Sequence, residues 1–125
     1  MSEEKLKPMV YRRGETELLS KGKYKNFEWY IVSYGTHPCA YVCIGPNHKL
    51  FGKRYDSFDL DVHGGVTYSE FGLHDIIDSD IWVIGWDYNH AGDYSVSFPV
   101  GKKYTTEEIY NDVIAAINDI EMQRW

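Results

Sequence analysis

Hydrophobic and polar residues follow the spacing of β-strands through much of the chain. Residues 27–34 (FEWYIVSY) and 38–44 (PCAYVCI) are rich in aromatic and β-branched side chains, and Gly35 lies in the turn between them. This pattern predicts an antiparallel hairpin with a short loop. Residues 81–86 (IWVIGW) are apolar throughout, which is typical of a strand buried on both faces of a sheet.

Other segments have weaker strand patterns. Residues 58–62 alternate strictly between apolar and polar side chains, so we expect a half-buried strand that ends at a pair of glycines. Residues 66–69 could form a brief return strand. For residues 14–25 the pattern is compatible with a short helix or with one arm of an irregular hairpin, and residues 73–77 predict a single helical turn.

The C-terminal residues 105–123 predict an amphipathic helix. Thr105 is a suitable N-cap, and Glu108 completes a capping box with it. An apolar stripe at the 3.6-residue spacing of a helix contains Ile109, Val113, Ala116, Ile117 and Ile120. We therefore expect an α+β protein, with a small, mainly antiparallel β-sheet and this helix packed on one face. Residues 1–125 form a single domain in this interpretation, with residues 1–8 frayed.

Composition and charge narrow the classes of function. The formal net charge is −6, which disfavours direct binding to nucleic acid. Cys39 and Cys43 would lie about 13 Å apart on one strand, too far for a disulfide, so we expect reduced thiols. We find neither an apolar signal segment nor a run long enough to span a bilayer, and we expect a cytoplasmic protein that does not enter membranes. Aromatic residues make up 16% of the chain, which suits both strands and binding surfaces.

Two segments, residues 59–68 and 85–93, pass from an apolar strand into a polar turn that contains glycine. Loops at rigid strand ends commonly form binding sites, and glycine lets the backbone approach a ligand. If the two strands are neighbours, their ends would form one pocket. The predicted ligand-binding residues are His63, Gly64, Gly65, Thr67, Tyr68, Trp86, Asp87, His90 and Asp93.

The chemistry of this pocket is open. His63, Asp87, His90 and Asp93 could together bind a divalent metal such as zinc, iron or manganese. The same four residues could instead be catalytic as general acids and bases, or could simply cap turns. Their spacing matches no strong metal-binding or nucleophile motif, so a metal-free site is the preferred interpretation.

The same two segments resemble a known family. His-Gly-Gly-x-Thr-Tyr at residues 63–68 and Gly-Trp-Asp-x-x-His-Ala-Gly-Asp at residues 85–93 are similar to the motifs of short bacteriophage and prophage proteins that have no established activity. The similarity covers about residues 27–94. It implies an accessory protein working in the cytoplasm of a bacterial host. The family often has Cys where this chain has Tyr88, so a thiol at that position is not required here.

Three functions are compatible with these patterns. The preferred hypothesis is a phage-type accessory protein that binds a host bacterial protein or a small signalling molecule, for example to counter a host defence system. The first alternative is a small metal-dependent or acid–base hydrolase that uses the His/Asp residues. The second alternative is a structural or assembly protein, and a homodimer is compatible with each of them.

Overall fold

The computed structural model describes residues 6–122, and these form a five-stranded sheet with one helix. The strands and the helix are β1 (Glu17–Tyr24), β2 (Phe27–Ser33), β3 (Pro38–Ile44), β4 (Tyr68–Leu73), β5 (Ile77–Asp87) and α1 (Thr106–Glu121). All pairings are antiparallel, in the order β1-β2-β3-β5-β4. The helix packs on one face, against β1, β2 and β3. The predicted α+β architecture is confirmed.

Hairpins account for most of the sheet. The β1–β2 turn contains Lys25 and Asn26, both with positive φ (50° and 69°), as a tight two-residue hairpin turn requires. Residues 14–25 therefore provide a hairpin arm, and β1 has an irregular register near Leu18. The predicted helical turn at residues 73–77 is wrong. Asp75 has a φ of 63° and reverses the chain between β4 and β5, a conformation that Asp tolerates better than most residues.

The strand predicted at residues 58–62 is also wrong, although the predicted burial pattern is present. Leu60 is buried in the core, and Phe58 and Val62 pack against the same core. Asp59 and Asp61 are exposed. The backbone N–H of Val62 donates to the carbonyl of Leu60 at 3.0 Å, and so tight a turn prevents regular pairing with a strand. This segment covers the hydrophobic core on the helix side instead of extending the sheet.

The strand predicted at residues 81–86 is confirmed within β5, which lies between β3 and β4. Its side chains alternate between two clusters. Trp82, Ile84 and Trp86 pack toward the helix, and Val83 packs on the other face with Cys39 and Cys43 of β3. Both cysteines are free thiols, as predicted, and both are buried, at 6% and 9% exposure.

The C-terminal helix is confirmed between residues 106 and 121, and the predicted end at residue 123 lies outside the described residues. Thr105 accepts a hydrogen bond from the backbone of Glu108, whose carboxylate accepts one from the backbone of Thr105. The predicted apolar stripe is fully buried against the sheet. In the described part of the chain, no helix has both the length and the apolar character needed to cross a membrane.

Candidate functional site

The site forms where β5 ends and the chain enters the loop of residues 88–93. Asp87 pairs in register with Cys39, so its side chain lies on the face of the sheet opposite the helix. Tyr88 follows it and lies in the core on the helix side. The alternation of a strand thus places polar groups on both sides of this sheet end.

On the helix side, His63 and Asp93 form a close polar pair. Nε2 of His63 lies 2.7 Å from Oδ2 of Asp93, whose side chain is only 4% exposed. The same carboxylate oxygen accepts the backbone N–H of His90 at 3.1 Å. The His63 ring stacks on Tyr88 at a centroid distance of 4.6 Å and meets the ring of Tyr104 edge-on at 5.0 Å. These contacts fix the imidazole, which is 25% exposed.

A second pair lies beside the first. Nε2 of His90 is 3.0 Å from Oδ1 of Asp87, but this buried nitrogen makes no hydrogen bond of good geometry to any residue from 6 to 122. The contact is therefore a close approach without hydrogen-bond geometry, and it is an ion pair only when the imidazole is protonated. Asp87 also accepts hydrogen bonds from the hydroxyl of Thr67 at 3.1 Å and from the backbone of Asn89 at 3.2 Å. The two imidazole centroids are 5.7 Å apart, so the pairs are neighbours.

The other predicted site residues differ in their access to solvent. Gly64 lies directly against the ring of His90, whereas a Cβ at Gly65 would meet nothing within 4 Å. Trp86 is 1% exposed, and its Nε1–H donates to the hydroxyl of Tyr88. The Tyr68 hydroxyl donates to the carbonyl of Gly72, away from the His/Asp pairs. Trp86 is thus part of the core, with no exposed ring surface for a ligand.

Two further groups lie at this site, and no pattern in the sequence indicated them. His37 lies in the β2–β3 turn and is half-buried. The pKa of its imidazole is lowered, mainly by burial; the charge of Asp87 opposes this effect and that of His90 adds to it. Asp112 of α1 accepts a hydrogen bond from the Tyr88 hydroxyl at 2.7 Å. Burial raises the pKa of the Tyr88 hydroxyl, and its hydrogen bond to Asp112 raises the pKa further. The hydroxyl therefore keeps its proton and can donate it in this bond. The β3–β5 pairing explains the proximity of His37, but a single sequence does not reveal that pairing.

The four predicted metal-ligand candidates form two separate His–Asp pairs. Among residues 6–122, no three His, Cys, Asp or Glu side chains are arranged so that they could hold a metal ion. Each carboxylate is already hydrogen-bonded to neighbouring donors. The arrangement could orient an imidazole for proton transfer or hold the two loops rigid.

A loop at residues 94–102 adjoins these pairs and exposes apolar side chains. Phe98 is 64% exposed and Val100 is 57% exposed. The loop is closed by a hydrogen bond from the backbone of Tyr94 to the carbonyl of Lys102, at 2.9 Å. Lys102 also donates its backbone N–H to Gly92 at 2.8 Å, which joins this loop to the one that carries Asp93.

Comparisons with family models, with curated proteins and with solved structures found no match to this chain. The resemblance to phage proteins therefore stays a prediction.

Proposed function

We propose that this chain is a phage-type accessory protein that binds a host protein through the sheet end formed by the His/Asp pairs and the loop of residues 94–102. The observation that carries this proposal is the exposure of Phe98 and Val100, at 64% and 57%, on a loop tied by backbone hydrogen bonds. Large apolar side chains held in one position at the surface are typical anchors of protein interfaces.

The rigidity of the loop supports this role. Besides its closure at Tyr94 and Lys102, the backbone of Val96 donates to the carbonyl of Thr36 at 3.0 Å. The side chain of Ser95 also accepts the backbone N–H of Phe98 at 3.0 Å. A loop that is ordered before binding loses less conformational entropy when it docks, so a given contact area yields tighter binding.

The His/Asp pairs provide a polar margin beside these anchors. Protein interfaces commonly combine an apolar centre with a polar rim. Asp93 is buried and accepts two hydrogen bonds from this chain, whereas the ring of His63 is one-quarter exposed and can contact a partner. In a phage context, such binding would interfere with a host defence or regulatory protein.

The test compares three purified proteins in pull-downs from a bacterial host lysate, followed by calorimetry with the recovered partner. These are the wild type, a Phe98→Ser/Val100→Ser variant and a Phe71→Ser control. Phe71 is 51% exposed but lies on β4. We expect a partner bound by the wild type and the control and lost by the double variant, with at least a ~30-fold weaker Kd, as for an interface hot spot.

Two results would reject the proposal. Equal binding by the double variant and the wild type would exclude the loop as an anchor. Loss of binding in the Phe71→Ser control as well would assign the contact to another surface. Folding of each variant is checked by its amide NMR spectrum, so that an unfolded variant is not mistaken for a loss of contact.

One observation favours a second candidate, an acid–base hydrolase. Asp93 holds His63 through Nε2, and no residue from 6 to 122 hydrogen-bonds the other ring nitrogen. A partly exposed imidazole oriented by a buried carboxylate is a common general base. The test is hydrolysis of a panel of activated ester and phosphodiester substrates. Turnover that His63→Asn abolishes, while Phe98→Ser/Val100→Ser retains it, would establish this alternative over the binding function.

A further inference from the structure

An open cleft of about 430 Å³ lies at the loop that follows β3. Its lining residues are Lys49, Leu50, Lys53, Ser57 and Phe58. None of these residues belongs to the His/Asp pairs or to the loop of residues 94–102. The volume lies within the range of about 300–1,000 Å³ that is usual for small-molecule sites.

The cleft combines an apolar floor with a cationic rim. Leu50 is 2% exposed and belongs to the main core, and Phe58 packs against that core. Lys49 and Lys53 are exposed. Within residues 6–122, no carboxylate pairs with the ammonium group of Lys53, and the neighbouring Arg54 is paired with Asp56 at 3.0 Å. The exposed ammonium group of Lys53 thus places a positive charge at this rim, on a chain with a net charge of −6.

The loop that forms the cleft is held in place by His48. Nδ1 of this ring accepts the backbone N–H of Leu50 at 3.0 Å, so Nε2 carries the proton and donates it to the carbonyl of Ile120, also at 3.0 Å. Further turns are closed by the backbone N–H of Lys53 and of Ser57. Because the bond to Ile120 connects the loop to the helix and the other bonds close its turns, the cleft exists before any ligand binds.

We infer that this cleft binds a small amphipathic anion, such as a carboxylate with an aliphatic or aromatic body. The apolar body would cover Phe58, which is only partly buried, and the anionic group would lie at the ammonium of Lys53. The inference is independent of the proposed binding function, since the two surfaces share no residue. The positive charge of Lys53 favours an anion, and the apolar surface of the cleft favours an anion that also has an apolar body.

The test is an amide NMR titration with three probes: sodium octanoate, 1-octanol and sodium acetate. Octanol has the apolar chain without the charge, and acetate has the charge without the chain. We expect octanoate to shift the amide signals of residues 49–58 saturably, octanol to bind at least threefold more weakly, and acetate to cause no saturable shift.

Matched variants complete the test. Lys53→Gln should weaken octanoate binding by about two- to fivefold, as expected for an exposed charge pair, and leave octanol binding unchanged. Lys21→Gln, an exposed lysine on β1, should change neither. Equal affinity for octanoate and octanol, shifts spread over other surfaces, or no effect of Lys53→Gln would overturn the inference. Concentration-dependent shifts of the same residues without any probe would assign the cleft to self-association and overturn it as well.

Discussion

Gly64 lies so close to His90 that a methyl group at position 64 would overlap Nε2 of the imidazole ring. The adjacent Gly65 has a similar backbone conformation, with φ of 81° against 71° for Gly64, but a Cβ there would meet nothing within 4 Å. The two glycines of the His-Gly-Gly segment therefore have different roles. Both permit the turn, but only Gly64 leaves room for the ring that faces Asp87.

This difference predicts unequal effects of alanine at the two positions. Both Gly64→Ala and Gly65→Ala place a side chain at positive φ, which costs about 1–2 kcal/mol. Gly64→Ala must also displace His90, so we expect it to lower the free energy of unfolding by a further ~1–3 kcal/mol. Urea denaturation measures both values.

A His90→Ala background provides the control for this comparison, because it removes the ring that a methyl group at position 64 would strike. There, Gly64→Ala and Gly65→Ala should cost the same. If Gly64→Ala stays more costly than Gly65→Ala without the ring, the extra cost has another origin.

The His63–Asp93 contact predicts a stability effect that an exposed pair lacks. His63→Phe keeps a ring to stack on Tyr88 but removes the donor at 2.7 Å from the buried carboxylate. We expect a loss of about 1–3 kcal/mol in the free energy of unfolding, since Asp93 is left with one donor fewer in a buried position. Thermal and urea denaturation measure this loss.

His74→Phe is the matched control. His74 lies 3.2 Å from Asp75, but both side chains are exposed, at 95% and 83%. This substitution should change stability by less than about 0.5 kcal/mol. Equal effects of His63→Phe and His74→Phe would show that the 2.7 Å contact contributes nothing beyond an exposed pair.

The spacing of apolar residues was sufficient to predict an element where the side chains of that segment alone determine its structure. The C-terminal helix was predictable because its apolar stripe and its capping box are local signals. The β2–β3 hairpin was predictable because both strands are rich in β-formers around one glycine turn. At residues 58–62 the alternation correctly gave the buried face, yet pairing depends on whether a neighbouring strand is available, which the pattern does not contain.

Predicting the site required knowledge of long-range strand pairing even more than predicting the fold did. Glycine-containing turns after apolar segments indicated the two loops, and the structure does bring His63 next to Asp93 and His90. The proximity of His37 follows from the alignment of Cys39 with Asp87 in the sheet. Phe98 is exposed because other residues fill the core, and the short apolar segment at residues 98–100 does not by itself indicate whether its side chains are buried or exposed.

Tyr41 lies over Gly85, and this contact predicts a further stability effect. A Cβ at Gly85 would come 2.5 Å from Cδ1 of Tyr41, whose ring also meets that of Tyr68 edge-on. Gly85→Ala should therefore lower the free energy of unfolding by about 1–3 kcal/mol through overpacking. Gly45→Ala is the control, since a Cβ there meets nothing within 4 Å, and its effect should stay below about 1 kcal/mol. A tolerated Gly85→Ala would mean that both the Tyr41 ring and the carbonyl oxygen of Ala40, which would lie 2.8 Å from the added Cβ, can shift.

The two buried thiols predict a loss of stability at alkaline pH. Burial raises the pKa of Cys39 and of Cys43 to about 12 in the folded protein. For Cys39 a hydrogen bond with Tyr41 acts in the opposite direction and Asp87 raises the pKa further, and for Cys43 Glu28 raises it further. In the unfolded chain both ionise near their ordinary pKa of about 8.5. The folded state thus binds more protons above that pH, so the free energy of unfolding falls as pH rises.

Between pH 8 and 9 the slope should be about 0.7 kcal/mol per pH unit for each thiol, because each thiol is about half ionised in the unfolded chain there while the tyrosines are still mostly protonated. Urea denaturation at several pH values measures the slope for the wild type and for Cys39→Ala/Cys43→Ala, which should lose it. A thiol reagent at pH 8 should label neither cysteine rapidly until denaturant is added, because the thiolate is scarce and the sulfur atoms are buried. Rapid labelling of the native protein, or the same slope in the double variant, would contradict the prediction.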